Sequence, residues 1–151
     1  MGKSATFPRI SPDGRYLLFA LGEYGCFHVW HKDADLHLLD LATGSDWALT
    51  EANSEWAESY HSWSSNSRWI LFSSRREDTN YTRLFIAHVD ADGKASKAFV
   101  LPQSSPDFYP MFDRSYNVPE FMVEPVNFTP QEIARIVRGE AVKVEYSSTG
   151  K

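Results

Sequence analysis

Cysteine is nearly absent from this chain. Cys26 is the single one, so no intrachain disulfide can form and cysteine usage does not fix the redox compartment. No apolar run is long enough to span a bilayer. The opening residues Met1-Gly2-Lys3-Ser4-Ala5-Thr6 lack the apolar core of a secretory signal. Basic residues are in deficit. Fifteen Lys and Arg against 20 Asp and Glu give a net charge of −5, which offers no electrostatic reason to expect nucleic acid as a partner. Several chemical signatures are also missing. Without Gly-x-Ser-x-Gly there is no hydrolase nucleophile elbow. Without Gly-x-x-x-x-Gly-Lys there is no phosphate cradle. Without Cys-x-x-Cys-His there is no haem attachment. No cofactor is expected.

What the chain does have is aromatic residues and an internal repeat. The length of 151 residues suits one ordinary domain, and the hydrophobic content of 42% supports a core. The aromatic content of 15% favours strands and binding surfaces over helical bundles. Ile10-Ser11-Pro12-Asp13-Gly14-Arg15-Tyr16-Leu17-Leu18-Phe19 matches Trp63-Ser64-Ser65-Asn66-Ser67-Arg68-Trp69-Ile70-Leu71-Phe72 at an offset of 53. A third copy is expected to start at Phe108-Tyr109-Pro110-Met111-Phe112, where Tyr109 matches Tyr60 at an offset of 49. A period of this size means stacked repeat units.

Each unit reads as a meander of four short strands. In the first, Asp13-Gly14 is a tight turn entered by Pro12, and Tyr16 to Ala20 is a strand. A loop runs from about Leu21 to Lys32. Leu36 to Leu41 and Trp47 to Thr50 are strands on either side of the turn Ala42-Thr43-Gly44-Ser45. In the second unit the strands are Tyr60 to Trp63, Trp69 to Ser73, Thr82 to Val89 and Ala98 to Leu101, with Asp90-Ala91-Asp92-Gly93 as a turn. Phe19 and Phe72 are expected in equivalent buried positions. After Phe112 the pattern stops. Thr129-Pro130-Gln131-Glu132 carries a helix start with a capping box, Ile133, Ile136 and Val137 share one face, and Gly139 ends the helix. Val142 to Tyr146 reads as a last strand or a frayed tail.

Ser-Pro-Asp-Gly-Arg-Tyr before an apolar strand, then Leu-Leu-Asp-Leu-Ala-Thr-Gly, then Ala-Leu-Thr, resembles the WD-like repeat of the TolB-type β-propellers. Those proteins are mostly bacterial and often periplasmic, so the resemblance implies a periplasmic or cell-envelope location. It covers residues 6 to 112. Unit 2 departs from the pattern by having Ser65-Asn66-Ser67 in place of Pro-Asp-Gly. The implied fold is all-β, a partial propeller over 5–112. It has one four-stranded antiparallel blade at about 6–50, a second at about 59–101 and the start of a third at about 107–112. An extension over 113–151 holds a helix at about 130–138. Propellers close with roughly four to eight blades of about 40–45 residues each. A chain with two blades is therefore expected to be the C-terminal part of a longer propeller or to associate through its bare faces. Met1, a few residues before a well-formed strand, favours the fragment reading. The helix around Ile133–Val137 is a candidate cap for one face.

Chemistry-bearing residues cluster in three places. Cys26, His28 and His31 give Cys-x-His-x-x-His, with Asp33 and Asp35 following. These are metal-ligand types at a spacing that is no recognised zinc pattern, and a loop with half-buried rings is the plainer reading. Asp90-Ala91-Asp92-Gly93 lacks the downstream Glu of a calcium loop. Asn80-Tyr81-Thr82 and Asn127-Phe128-Thr129 match the glycosylation pattern by chance. The main interaction candidate is the loop edge where 21–32, 51–59 and 75–81 converge in a meander. It bears Glu55, Glu58, Arg75, Arg76, Tyr81 and Arg83, with His61 just beneath. Arg with aromatics is a binding hot-spot composition. Equally, Arg75 and Arg76 could pair with Glu51, Glu55, Glu58 or Glu77 and only hold the loops together. The expected function is a non-catalytic binding module that takes a protein or a small ligand on this edge. The alternative is an accessory part of a larger glycosidase or serine peptidase with its catalytic residues elsewhere.

Overall fold

The matching turns adopt the same structure, bond for bond. The Ser11 hydroxyl donates to Asp13 Oδ1 at 2.6 Å, and Asp13 Oδ1 accepts the Arg15 amide at 3.1 Å. In the second copy Ser64 donates to Asn66 Oδ1 at 2.7 Å, and the same oxygen accepts the Arg68 amide at 3.1 Å. Ser11 Oγ and Ser64 Oγ also accept the amides of Tyr16 and Trp69. The turn position with positive φ is Gly14 in one copy (73°) and Ser67 in the other (58°). A short polar side chain therefore replaces glycine without changing the turn.

The computed structural model describes residues 2–143. Two four-stranded antiparallel sheets dominate it. The first holds β1 (Ser4–Ile10), β2 (Tyr16–Gly22), β3 (Asp35–Asp40) and β4 (Asp46–Ala48) in that order. The second holds β5 (Glu58–Trp63), β6 (Trp69–Ser74), β7 (Arg83–His88) and β8 (Phe99–Val100) in that order. The first strand of each is broken by a bulge at the same repeat position, between Thr6 and Arg9 in β1 and between Ser59 and Ser62 in β5. The β3–β4 and β7–β8 turns match too. Asp40 Oδ1 and Asp90 Oδ1 each accept two amides of the turn, and Gly44 and Gly93 both have positive φ.

The two sheets stack front to back. Strand alternation sends Tyr16, Leu18, Leu36 and Leu38 to the back of the first sheet. There they meet Ile70, Phe72, Phe85 and Ala87 on the front of the second, and all eight are buried. Polar contacts fasten this core. The Asp13 amide donates to Ser67 Oγ at 3.0 Å, the Trp63 indole to the Arg9 carbonyl at 3.1 Å, and the Glu58 amide to the Ala34 carbonyl at 2.8 Å.

Within residues 2–121 nothing covers the front of the first sheet. Leu17, Phe19, His37 and Leu39 are all partly exposed there. Phe19 is thus the repeat partner of the fully buried Phe72 and is not itself buried. The expectation of equal burial fails because no sheet lies in front of the first one.

Beyond β8, residues 115–117 lie against the back of the second sheet, where the Ser73 hydroxyl donates to the Asn117 carbonyl at 2.6 Å. The expected third strand is a short helix instead, α1 (Phe108–Met111). Pro110 cannot donate to a sheet ladder, and the Phe108 and Phe112 rings stack at 5.1 Å one turn apart. The chain divides into two units between Phe121 and Met122, so residues 113–121 belong with the sheets rather than with the extension expected from 113. In the second unit α2 (Pro130–Val137) carries the expected capping box between Thr129 and Glu132, with Pro130 in the first turn. Its Ile133, Ile136 and Val137 are exposed. The strand or tail expected over Val142 to Tyr146 lies, beyond Lys143, outside the described residues. No described helix is long and apolar enough to cross a membrane.

Candidate functional site

The bulge in β5 sets Tyr60 at φ 50°. Such residues leave the regular ladder and re-aim a side chain. Tyr60 helps line a cavity of about 350 Å³ at the loop-bearing edge of the sheets. The loop after β2 contributes Phe27, Val29 and Trp30, brought in by a left-handed Phe27 and a single 3-10 turn over His28–Trp30. The loop between β6 and β7 supplies Arg75, Asn80 and Thr82. Ser115, Tyr116 and Asn117 close it from the segment behind the second sheet. That segment is fixed by the Thr82 hydroxyl, which donates to the Tyr116 carbonyl, and by Ser115 Oγ, which accepts the Thr82 amide.

Arg75 is the chemical centre of this cavity. Its guanidinium lies over the Trp30 ring at 4.3 Å, a cation–π contact. Its Nε is buried and has no hydrogen-bond partner. None of the carboxylates among the described residues pairs with it. Buried donors are normally satisfied, and this one is an exception. Trp30 and Phe27 stand 65% and 64% exposed beside it.

The adjacent arginine does different work. Arg76 Nη2 donates to Glu58 Oε1 at 2.8 Å and to the Ala52 carbonyl at 2.7 Å. Glu58 is fully buried and also accepts from Ser54 and Ser74. Burial pushes its carboxyl above the usual carboxylate range, against the pull of Arg76 and the two serines. Arg83 is buried, paired to Asp78 at 3.1 Å, and donates to the carbonyls of Tyr109, Phe112 and Arg114. It anchors the segment behind the sheet. Tyr81 packs its ring against Arg83, 5.2 Å away. His61 is in the core, its Nε2–H donating to the Leu18 carbonyl at 3.2 Å, and burial depresses its pKa to about 4. Glu55 is exposed and lines none of this cavity.

Of the residues that the sequence singled out, the structure therefore places Arg75 in the cavity. Arg76, Glu58, Arg83 and His61 serve the framework. The aromatic wall was missed, although Phe27-x-x-Trp30 was visible as an aromatic pair in a loop. Tyr116 and Asn117 carried no signal, because their place follows from the covering segment and not from the repeat.

Cys26, His28 and His31 do not converge on a metal. Among the described residues no three His, Cys, Asp or Glu side chains are grouped to hold one. Cys26 is exposed, while His28 is buried, hydrogen-bonded through Nδ1 to Thr6 Oγ1 at 2.7 Å, and shifted down by burial and by the neighbouring His31.

The chain matches no protein-family model, and no curated protein matches it at significance.

Proposed function

We propose that this chain is part of a TolB-like β-propeller and acts as a non-catalytic binding module, with its ligand or partner seated on the loop edge around Arg75. The observation that carries the binding role is the unpaired Arg75 guanidinium, stacked on Trp30 inside a cavity of about 350 Å³. Cavities that bind small groups combine apolar and aromatic walls with a few convergent polar atoms, and rigid sheets carrying such loops are a common way to build them.

The propeller reading rests on the front-to-back stacking of two sheets that share their first and third turns. An apolar hollow of about 210 Å³ on the front of the first sheet, lined by Ala5, Pro8, Leu17, Phe19 and Leu39 among others, supports it further. The repeat itself indicates the occupant. The same face of the second sheet is covered by the back of another four-stranded sheet, so a preceding blade fits there. The resemblance to TolB-type repeats gives the periplasm as the compartment.

The binding role is tested by titrating the isotope-labelled protein with a chemically mixed fragment library and mapping the hits by NMR. Hits should gather on the Trp30 indole and on the side-chain amides of Asn80 and Asn117. A set of hits scattered over the sheets, or none at this edge, would sink the reading.

A further inference from the structure

We infer that the Arg75 cavity accepts a monoanionic carboxylate carried on an aromatic group. The inference rests on the reading of this edge as a binding site and adds the class of ligand.

Charge is the first argument. Arg75 is the single formally charged residue lining the cavity. No carboxylate among the described residues pairs with Arg75: Glu77 is exposed and makes no ion pair, and Asp78 and Glu58 are engaged by Arg83 and Arg76. The cavity therefore presents one uncompensated cation, which suits one negative charge. A phosphate dianion is better matched by more than one cation, and the cavity has one.

Geometry is the second. One face of the guanidinium is occupied by Trp30 at 4.3 Å, so its remaining recognition surface is the edge that carries N–H groups. Nε is buried without an acceptor. A guanidinium edge is a planar fork of donors, and a carboxylate is its planar, two-oxygen complement. An uncharged carbonyl offers one acceptor atom and leaves the cation without a counter-charge in a partly desolvated place.

The walls are the third. Trp30, Phe27, Tyr60 and Tyr116 line the same cavity as the cation, and their rings would cover a flat apolar body attached to the carboxylate. About 350 Å³ lies at the small end of ligand sites, roughly 300–1,000 Å³. It suits one ring and its acid group and is small for a dinucleotide. Two sources share this chemistry, a free aromatic acid and the C-terminal aromatic residue of a peptide.

The test is calorimetric titration of the whole chain with four probes. These are phenylacetate, its neutral counterpart phenylacetamide, a hexapeptide ending in Phe with a free carboxylate, and the same peptide amidated. The acids should bind at least tenfold more tightly than their amides. Arg75→Gln should erase that difference while leaving the thermal midpoint in place. A free peptide that binds tighter than phenylacetate assigns the site to peptide C-termini, and equal affinities assign it to the free acid. Either result supports the carboxylate. Amides that bind as well as acids overturn the inference but leave the binding edge standing. Silence from all four probes, with no fragment mapped to Trp30, overturns both. The acid–amide comparison needs no variant, so poor folding of Arg75→Gln would not remove the test.

Discussion

Phe7 and Tyr60 stand 53 positions apart in sequence, and their rings meet edge to face at 4.9 Å. Both backbones are left-handed, at φ 54° and 50°. Each is the bulged residue of the first strand in its own sheet, so the same irregularity occurs twice and the two instances touch. A bulge with a left-handed aromatic costs of order 1–3 kcal/mol, and the contact between the rings returns part of that through edge-to-face packing. The site at the loop edge begins from this strain, since Tyr60 is also a wall of the Arg75 cavity.

Phe72→Ala should destabilise the chain by about 3–5 kcal/mol, because Phe72 is fully buried between the sheets. Phe19→Ala, at the equivalent repeat position, should cost less, about 1–2 kcal/mol, as its ring is already partly in solvent. Urea denaturation of both variants checks the contrast. Equal losses would mean that the front of the first sheet is covered after all.

Arg76→Ala should cost about 3–5 kcal/mol, because it leaves the buried Glu58 carboxylate without its cation. Arg75→Ala should change the thermal midpoint little. Adding Glu58→Gln to Arg76→Ala should recover much of the loss, since it removes the stranded charge. Thermal scans of the three variants decide the matter, and equal effects of the two single arginine changes would contradict the division of labour.

Acid should weaken the fold through His61. Its folded pKa is depressed from 6.5 to about 4, so it contributes stability that is present above pH 6.5 and lost as the pH falls through about 4. The difference corresponds to about 3 kcal/mol. Glu58 acts in the opposite sense. Its raised pKa gives stability that is present at low pH and lost as the pH rises through the folded value. His61→Gln isolates the first contribution, and wild type should lose about 3 kcal/mol relative to it between pH 6.5 and 4. Parallel stability curves for the two proteins would refute this.

Gly93→Ala should be much worse than Gly44→Ala. Both glycines have φ near +75°, and a left-handed alanine costs about 1–2 kcal/mol. A Cβ on Gly44 meets open space, whereas on Gly93 it would lie 2.6 Å from the Trp47 ring and 3.0 Å from Leu38. The added crowding should cost about 1–3 kcal/mol more. Chemical denaturation of the two variants, side by side, reads the steric part alone.

The turns and strands were legible because their signals are local. Ser-x-Asp and Ser-x-Asn each build a turn from residues a few positions apart, whereas Tyr16 to Ala20 is apolar on both faces, so it marks a strand without saying which side is buried. The third copy misled for the opposite reason. The match of Tyr109 to Tyr60 is one residue in a stretch where Pro110 and the Phe108–Phe112 stacking favour a helical turn. The two arginines at 75 and 76 look alike in sequence. Which of them meets Glu58 depends on the direction each takes as β6 ends, and that is set by strand packing. The cavity joins segments near positions 30, 60, 75 and 116, so no window of sequence contains it.

The front-to-back contact gives the pair of sheets a direction. Its two outer surfaces are unlike, one an open apolar face and the other already met by residues 115–117. A pair of copies turned face to face would bring together two fronts, which the fold never does internally. Addition in the native manner is instead heterologous, head to tail, and such contacts propagate into rings or filaments rather than closed dimers. With the back of the second sheet met by the chain's own segment, copies of this chain cannot add to one another in that manner, and only the front of the first sheet is left open to another sheet.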